Sequence, residues 1–292
     1  MIGKICGTGS GIPVKIMDND DLSNMVDTND AWIRERTGVE KRHIAESEST
    51  VSMAVEAGRQ ALAQTGIRPE ELDMIVVSTM SPDAVLPCTA CEVQKAIGAE
   101  GAVCFDLQAA CTGFIFAYNT AQAYIQSNMC RTVLLIGSER LSRLVDWTDR
   151  GTCILFGDGA GAAVLKAAEG RAYLPVSHSD GKKGEALTCD RYIHMDGRAV
   201  FQFAVTRVPE VIREVLTKNE LIMDDVDYFV LHQANRRIVK AVAKRLRQPI
   251  EKFPMNLQEY GNTSSASIPI LLDEMNRSGK LKKGQKLVVA GF

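Results

Sequence analysis

Ile67-Arg-Pro-Glu-Glu-Leu-Asp-Met-Ile-Val-Val77 and Leu221-Ile-Met-Asp-Asp-Val-Asp-Tyr-Phe-Val-Leu231 read as two copies of one unit. Each has an apolar residue, two acids, a second apolar residue, an aspartate and then a short apolar run. A stretch of helical spacing precedes each copy, Val55 to Gln64 and Val211 to Lys218, and another follows. The apolar runs are continuous rather than alternating, which is the pattern of a strand covered on both faces. Met74-Ile-Val-Val-Ser78, Val103-Cys-Phe-Asp-Leu107, Thr132-Val-Leu-Leu-Ile136 and Tyr228-Phe-Val-Leu231 all have it. Such strands alternating with helices make a layered α/β protein. The copies lie about half a chain apart, so two similar halves are expected, 1–168 and 169–292, packed as one unit. No Ser-, Gly- or Pro-rich linker divides them.

The chain has 292 residues, 46% of them hydrophobic, enough to bury a large core. A net charge of −2 argues against nucleic acid as a partner of the whole molecule, while leaving room for a local basic patch. No window is long and apolar enough to span a membrane. Met1-Ile-Gly-Lys-Ile-Cys6 starts a strand-like segment, not a secretory leader. These features predict a cytoplasmic protein with its eight cysteines reduced. Cys88 and Cys91 form one C-x-x-C. No second pair or nearby histidine completes a zinc site, so the pair reads as two small apolar residues on a helix, and no metal is expected.

Three residues are candidates for chemistry: two stand at the join between a strand and a helix, where α/β proteins bind ligands, and one in a loop before a helix. Cys111 follows the Val103–Leu107 run and precedes a helical pattern (Phe114, Ala117, Tyr118, Ala121, Ile125), with Gly113 allowing close approach. The free N–H groups and dipole of a helix start favour a thiolate and can hold an oxyanion. The plain alternative is a small buried cysteine. His232 follows the second repeat's strand, either as a catalyst or as a polar cap. Asn262, in Gly261-Asn-Thr-Ser-Ser265, precedes another helix, where Ser264 or Ser265 would be the N-cap. Phe156-Gly-Asp-Gly-Ala-Gly-Ala162 lacks the lysine of a phosphate loop and reads as a tight crossing of backbones. The helix from Asn235 to Gln248 carries Arg236, Arg237, Lys240, Lys244, Arg245 and Arg247 opposite its apolar side. It is either a solvated face or a dock for an acidic partner.

Asp27-Thr-Asn-Asp-Ala-Trp-Ile-Arg-Glu-Arg-Thr-Gly38, Ala109-Ala-Cys-Thr-Gly-Phe114, Asp149-Arg-Gly151 with Phe156-Gly-Asp-Gly-Ala-Gly161, His232-Gln-Ala-Asn235 and Tyr260-Gly-Asn-Thr-Ser264 occur in that order across nearly the whole chain. Together they resemble β-ketoacyl-acyl-carrier-protein synthase III, the initiating condensing enzyme of dissociated fatty-acid synthesis. The resemblance implies a thiolase-like αβαβα sandwich of two similar halves. It implies decarboxylative condensation of a short acyl-coenzyme A with malonyl-acyl carrier protein. Cys111 would take the acyl group, and His232 and Asn262 would support decarboxylation. Thr28, Trp32, Arg36 and Arg150 would surround the coenzyme A nucleotide, with Trp32 and Arg150 flanking adenine. Asn235 would touch the pantetheine arm, and Gly197 and Phe201 would shape the pocket. Arg237, with Arg236, Lys240 and Lys244, would meet the carrier protein. Leu86 would cross a homodimer interface into the partner's acyl pocket. Coenzyme A thioester would be a substrate, with no permanently bound cofactor.

Two departures from the resembling family are expected to matter. The chain is short between Leu174 and His194, and Cys189-Asp-Arg-Tyr192 looks like a join across a missing stretch. It also stops at Gly291-Phe292, where the family continues into glycines that help form an oxyanion hole, so the sequence is expected to be incomplete. Three rivals differ in class or pathway. A papain-like hydrolase shares the Cys, His, Asn order but not its local signature around the cysteine. The others are a non-catalytic coenzyme A or carrier-binding module, and a related synthase of secondary metabolism.

Overall fold

A computed structural model describes the whole chain, residues 1–292. Its main elements are β1 (Ile2–Gly11), α1 (Asp30–Arg36), α2 (Thr50–Thr65), β2 (Met74–Ser78), α3 (Thr89–Ile97), β3 (Val103–Leu107), α4 (Gly113–Gln126), β4 (Thr132–Glu139), β5 (Gly159–Ala168), α5 (Gly197–Lys218), β6 (Tyr228–Leu231), α6 (Arg236–Leu246), α7 (Ser267–Arg277) and β7 (Leu287–Ala290). Five strands form one sheet in the order β1-β5-β4-β2-β3. Within it β3, β2 and β4 are parallel, and β5 runs antiparallel to both β4 and β1. β6 and β7 pair in parallel as a second, small sheet.

The layers follow from which apolar faces meet. One side of the large sheet (Ile75, Val77, Leu134, Ile136) is buried under α2 and α3 through Met53, Ala57, Ala61 and Val93. Its other side (Val76, Leu135, Ala163) meets Phe114 and Ala117 of α4 and Ile268 and Leu271 of α7. Val230 of the small sheet joins that same middle layer. The far side of the small sheet, Phe229, Leu231, Val288 and Ala290, is buried under α5 and α6. The arrangement is therefore αβαβα, and the continuous apolar runs are strands covered on both faces, as their sequence predicts.

The repeated unit folds alike in both copies, down to single hydrogen bonds. Arg68 N donates to Glu71 Oε2 at 3.1 Å, and Ile222 N donates to Asp225 Oδ2 at 2.9 Å. Asp73 Oδ2 then accepts from Arg131 N and Thr132 N at 2.7 and 2.8 Å, while Asp227 Oδ2 accepts from Lys286 N at 2.7 Å. Each aspartate thus pins the start of the neighbouring parallel strand. The likeness does not extend to sheet size, since β6 has only β7 beside it. α5 is also longer than its sequence pattern predicts, because Pro209, an ordinary helix stop, is accommodated inside it.

Close backbone approach holds the middle layer to the large sheet. A Cβ on Gly161 would lie 2.5 Å from Ile270 N, and one on Gly157 would lie 2.2 Å from Tyr260 O. The glycine-rich segment is therefore the crossing its spacing predicts. The expected join at Cys189–Tyr192 is a tight hairpin in which Leu187–Cys189 pairs with Ile193–Met195.

Candidate active site

Cys111, His232 and Asn262 line one cavity of about 1090 Å³. Three chain crossings bring them together. β3 leads into a short turn, Ala110–Thr112, and α4 starts at Gly113. Ala110 there has φ 45°, a left-handed conformation that an alanine adopts only under constraint. His232 follows β6 directly, and its N–H donates to Ala290 O of β7 at 2.9 Å. Asn262 lies between Gly261 and the Ser264–Ala266 turn; its N–H donates to Leu155 O at 2.8 Å.

The hydrogen bonds fix what each group is able to do. Asn262 Oδ1 accepts from Ser264 N at 2.8 Å, so the amide's remaining capacity towards the cavity is its NH₂, a donor. His232 is 1% exposed, and its Nδ1 lies 2.7 Å from Ser267 Oγ. Ser267 Oγ already accepts from Gln233 N at 3.3 Å and has no other acceptor for its own hydrogen. Bond economy therefore has Ser267 donate to Nδ1, which leaves the proton on Nε2. That Nε2 is buried without a partner. Burial lowers the imidazole to about 3, so the ring is a neutral donor at physiological pH.

Cys111 departs from one expectation. A helix start was expected to favour its thiolate, but desolvation dominates and pushes the thiol up to about 11. Ser264 opposes this by donating to Cys111 Sγ at 3.4 Å. Ser264 has φ 47° and does not cap α7 as expected; nor does Ser265, whose Oγ lies 3.0 Å from Ser78 O and 2.7 Å from Glu139 Oε1. The residue before α7 is Ala266, with no side-chain cap. The left-handed turn points these hydroxyls back toward β2 and Cys111, away from the helix end.

The other expected residues divide into two groups. Trp32, Arg36, Gly197, Phe201, Asn235 and Arg237 line the same cavity. The Arg36 and Arg150 guanidinium carbons each lie 4.9 Å from the Trp32 ring centroid, so Arg150 already occupies the place expected for adenine. Asn235 caps α6 by accepting from Arg237 N at 2.8 Å and donates to Arg36 O at 3.1 Å. Thr28 lies outside the cavity lining, its hydroxyl buried without a partner. Arg236 is half-buried and donates to Arg34 O at 2.8 Å, which removes it from the exposed basic face. Arg237, Lys240 and Lys244 remain exposed there. Leu86 is 83% exposed and does not line its own chain's cavity.

Two family descriptions match the chain: 3-oxoacyl-[acyl-carrier-protein] synthase III over residues 105–181, and the C-terminal part of the same enzyme over residues 216–292. A β-ketoacyl-[acyl-carrier-protein] synthase III from Clostridium novyi is 46% identical over 306 positions, covering 99% of this chain and 94% of that protein. The chain belongs to the β-ketoacyl-acyl-carrier-protein synthase III family. It is accordingly an acyltransferase, a condensing enzyme of fatty-acid synthesis. The crystal structure of 3-oxoacyl-[acyl-carrier-protein] synthase III from Aquifex aeolicus superimposes with a TM-score of 0.97 at 44% identity, covering 99% of this chain and 95% of that one. The priming β-ketosynthase of the R1128 polyketide pathway superimposes with a TM-score of 0.95 at 35% identity, covering 99% and 91%. The thiolase-like synthase III fold is thus shown. The aligned span with the Clostridium novyi synthase III, 306 positions, exceeds this chain's 292 residues, so that relative carries residues within it that this chain lacks.

The residues that sequence reading missed are Ser267 and Glu139, and Ser264 was read only as a cap or motif residue without its contact to Cys111. Ser267 was findable as the hydroxyl five residues after Asn262 at a helix start. Nothing local in the sequence marks Glu139.

Proposed function

We propose that Cys111 is the acyl nucleophile and that His232 and Asn262 are the donors that stabilise the enolate of decarboxylation. The carrying observation is the buried, unpartnered Nε2 of neutral His232 in the cavity that Cys111 and Asn262 also line. In the first half-reaction Cys111 Sγ attacks the thioester carbonyl of a short acyl-coenzyme A. The C–S bond to coenzyme A breaks, and the thiol proton ends on the departing sulfur. In the second, malonyl-acyl carrier protein loses CO₂. The electron pair of the broken C–C bond forms an enolate whose oxygen accepts from His232 Nε2–H and the Asn262 amide. The enolate carbon attacks the acyl thioester, its C–S bond breaks, and Cys111 leaves as a thiolate that takes a proton from water. Two neutral donors and no base match that need, because the step builds oxyanion charge without removing a proton.

Around this centre, coenzyme A is a substrate and not a resident cofactor. Its nucleotide stacks on Trp32 after Arg150 turns aside, with Arg36 and Thr28 nearby. The pantetheine arm passes Asn235 between Gly197 and Phe201. The exposed Arg237, Lys240 and Lys244 dock the acidic carrier protein. The chain works as a homodimer. β1 carries a bulge at its sheet edge, between Ile5 and Gly7, whereas β3 is an edge without one. Val103 on β3 is 59% exposed, and Val85 and Leu86, in the loop before α3, are 88% and 83% exposed. A second copy that pairs along β3 covers them and brings Leu86 to the partner's cavity. No helix is long and apolar enough to cross a membrane, in keeping with a cytoplasmic location.

The test is intact-mass measurement after exposure to acetyl-coenzyme A. The expected result is a gain of one acetyl group that Cys111→Ala abolishes. A gain that survives in that variant, or maps to Cys88, Cys104 or Cys153, overturns the assignment.

A further inference from the structure

Glu139, at the end of β4, is fully buried and pairs with no cation. Its neighbour Arg140 turns away to Ala45 O and Glu46 O, and Asp158 spends its oxygens on Ala45 N and Ser142 N. What surrounds the Glu139 carboxylate is a ring of donors. Oε2 is 2.6 Å from Ser81 Oγ, 3.1 Å from Met80 N and 3.3 Å from Thr79 Oγ1, and Oε1 is 2.7 Å from Ser265 Oγ. The directions are fixed by the second bond of each hydroxyl. Ser81 Oγ accepts from Arg140 N at 2.9 Å and Thr79 Oγ1 accepts from Ser81 N at 3.1 Å, so both hydrogens are free to point at Glu139. A carboxylate, with two acceptor oxygens, can take all of these donors.

Three segments meet at this carboxylate: the loop leaving β2, the end of β4, and the turn that carries Asn262, Ser264 and Ser265. The same turn puts Ser264 Oγ 3.4 Å from Cys111 Sγ while holding Ser264 at φ 47°. A strained turn persists only where its surroundings over-determine it.

We infer that Glu139 is a positioning residue for the condensation: through Ser265 it fixes the turn that presents Asn262 and Ser264 to Cys111. The inference rests on the reading of Cys111 as nucleophile. Burial raises the Glu139 carboxyl to about 7, so both protonation states occur at working pH. The link survives either. When Glu139 is charged, Ser265 donates to it. When it is protonated, the carboxyl donates to Ser265 Oγ, and Ser265 donates to Ser78 O, 3.0 Å away. The charge also faces Cys111 and raises its thiol further.

The experiment compares Glu139→Gln, Ser265→Ala and the double variant. Each single variant is expected to lower kcat for condensation about tenfold, with KM for malonyl carrier protein within about threefold, because positioning rather than binding is lost. The double variant is expected to be no worse than the worse single one, since both cut one link. Glu139→Gln should also shift alkylation of Cys111 by iodoacetamide to lower pH, a change that a purely structural role would not produce. Single variants within about twofold of the parent kcat, or losses that multiply in the double, overturn the inference. Should Glu139→Gln not fold, Ser265→Ala decides alone by the same kcat criterion. Peptide mapping keeps the two readings apart. Label found elsewhere than Cys111 sinks the nucleophile assignment; label on Cys111 with no pH shift and unchanged kcat sinks only the role of Glu139.

Discussion

At the scale of single residues, the site is governed by desolvation. It raises Cys111 to about 11 and lowers His232 to about 3, and each shift has a consequence. A histidine that stays neutral down to such low pH gives condensation no acid limb of its own between pH 5 and 8. The stability sign follows from linkage. The unfolded imidazole takes a proton near its ordinary value of about 6.5 and the folded one does not, so His232 costs stability as pH falls from there towards 3. His232→Ala and Asn262→Ala are each expected to slow condensation roughly a hundredfold to a thousandfold, while acyl transfer to Cys111 loses much less. Rapid-quench measurement of the two half-reactions checks this, and equal losses would make His232 the base for Cys111 instead. Cys111, His232 and Asn262 were legible in sequence because each stands in a marked motif just before a helix, the first two directly after a strand. Glu139 was not. It is one of 36 acidic residues, and nothing in Gly137-Ser-Glu139 reveals that its carboxylate points inward among hydroxyls donated from residues 58 to 126 positions away.

Among the elements, α6 separates what its sequence shows from what packing decides. Its apolar positions Ile238, Val239, Val242, Ala243 and Leu246 are all buried, as their spacing requires. Four of the six basic side chains of the opposite face were expected to meet the carrier protein, but one of them, Arg236, folds back on Arg34 because Gly38 lets α6 approach the end of α1 closely. Arg237, Lys240 and Lys244 are the ones left to test. Replacing Arg237 and Lys240 with Glu is expected to raise KM for malonyl carrier protein at least tenfold and flatten its salt dependence, with acylation by acetyl-coenzyme A within about twofold. A matching effect on both substrates would make this only a solvated helix face. The repeated unit was legible because its two aspartates recur at one offset from an apolar run. The difference in sheet size was not, since strand count depends on pairings between segments far apart in sequence.

Across the whole molecule, the flat outer edge of β3 makes assembly a property to measure. Sedimentation should show a dimer, and Val103→Lys with Leu86→Lys should convert it to monomer, because two exposed apolar residues beside an unpaired strand become charged. A parent protein that sediments as monomer, or a variant that stays dimeric, would remove β3 from the interface. The Arg150–Trp32 contact bears on the proposed entry of coenzyme A. With the coenzyme A nucleotide stacked there as proposed, it displaces a guanidinium already resting on the indole, a contact worth about 0.5–2 kcal/mol, which is roughly a twofold to thirtyfold weaker hold on the ligand. On that reading the resting protein carries its own competitor for the nucleotide, a side chain that is returned to the indole each time the ligand leaves.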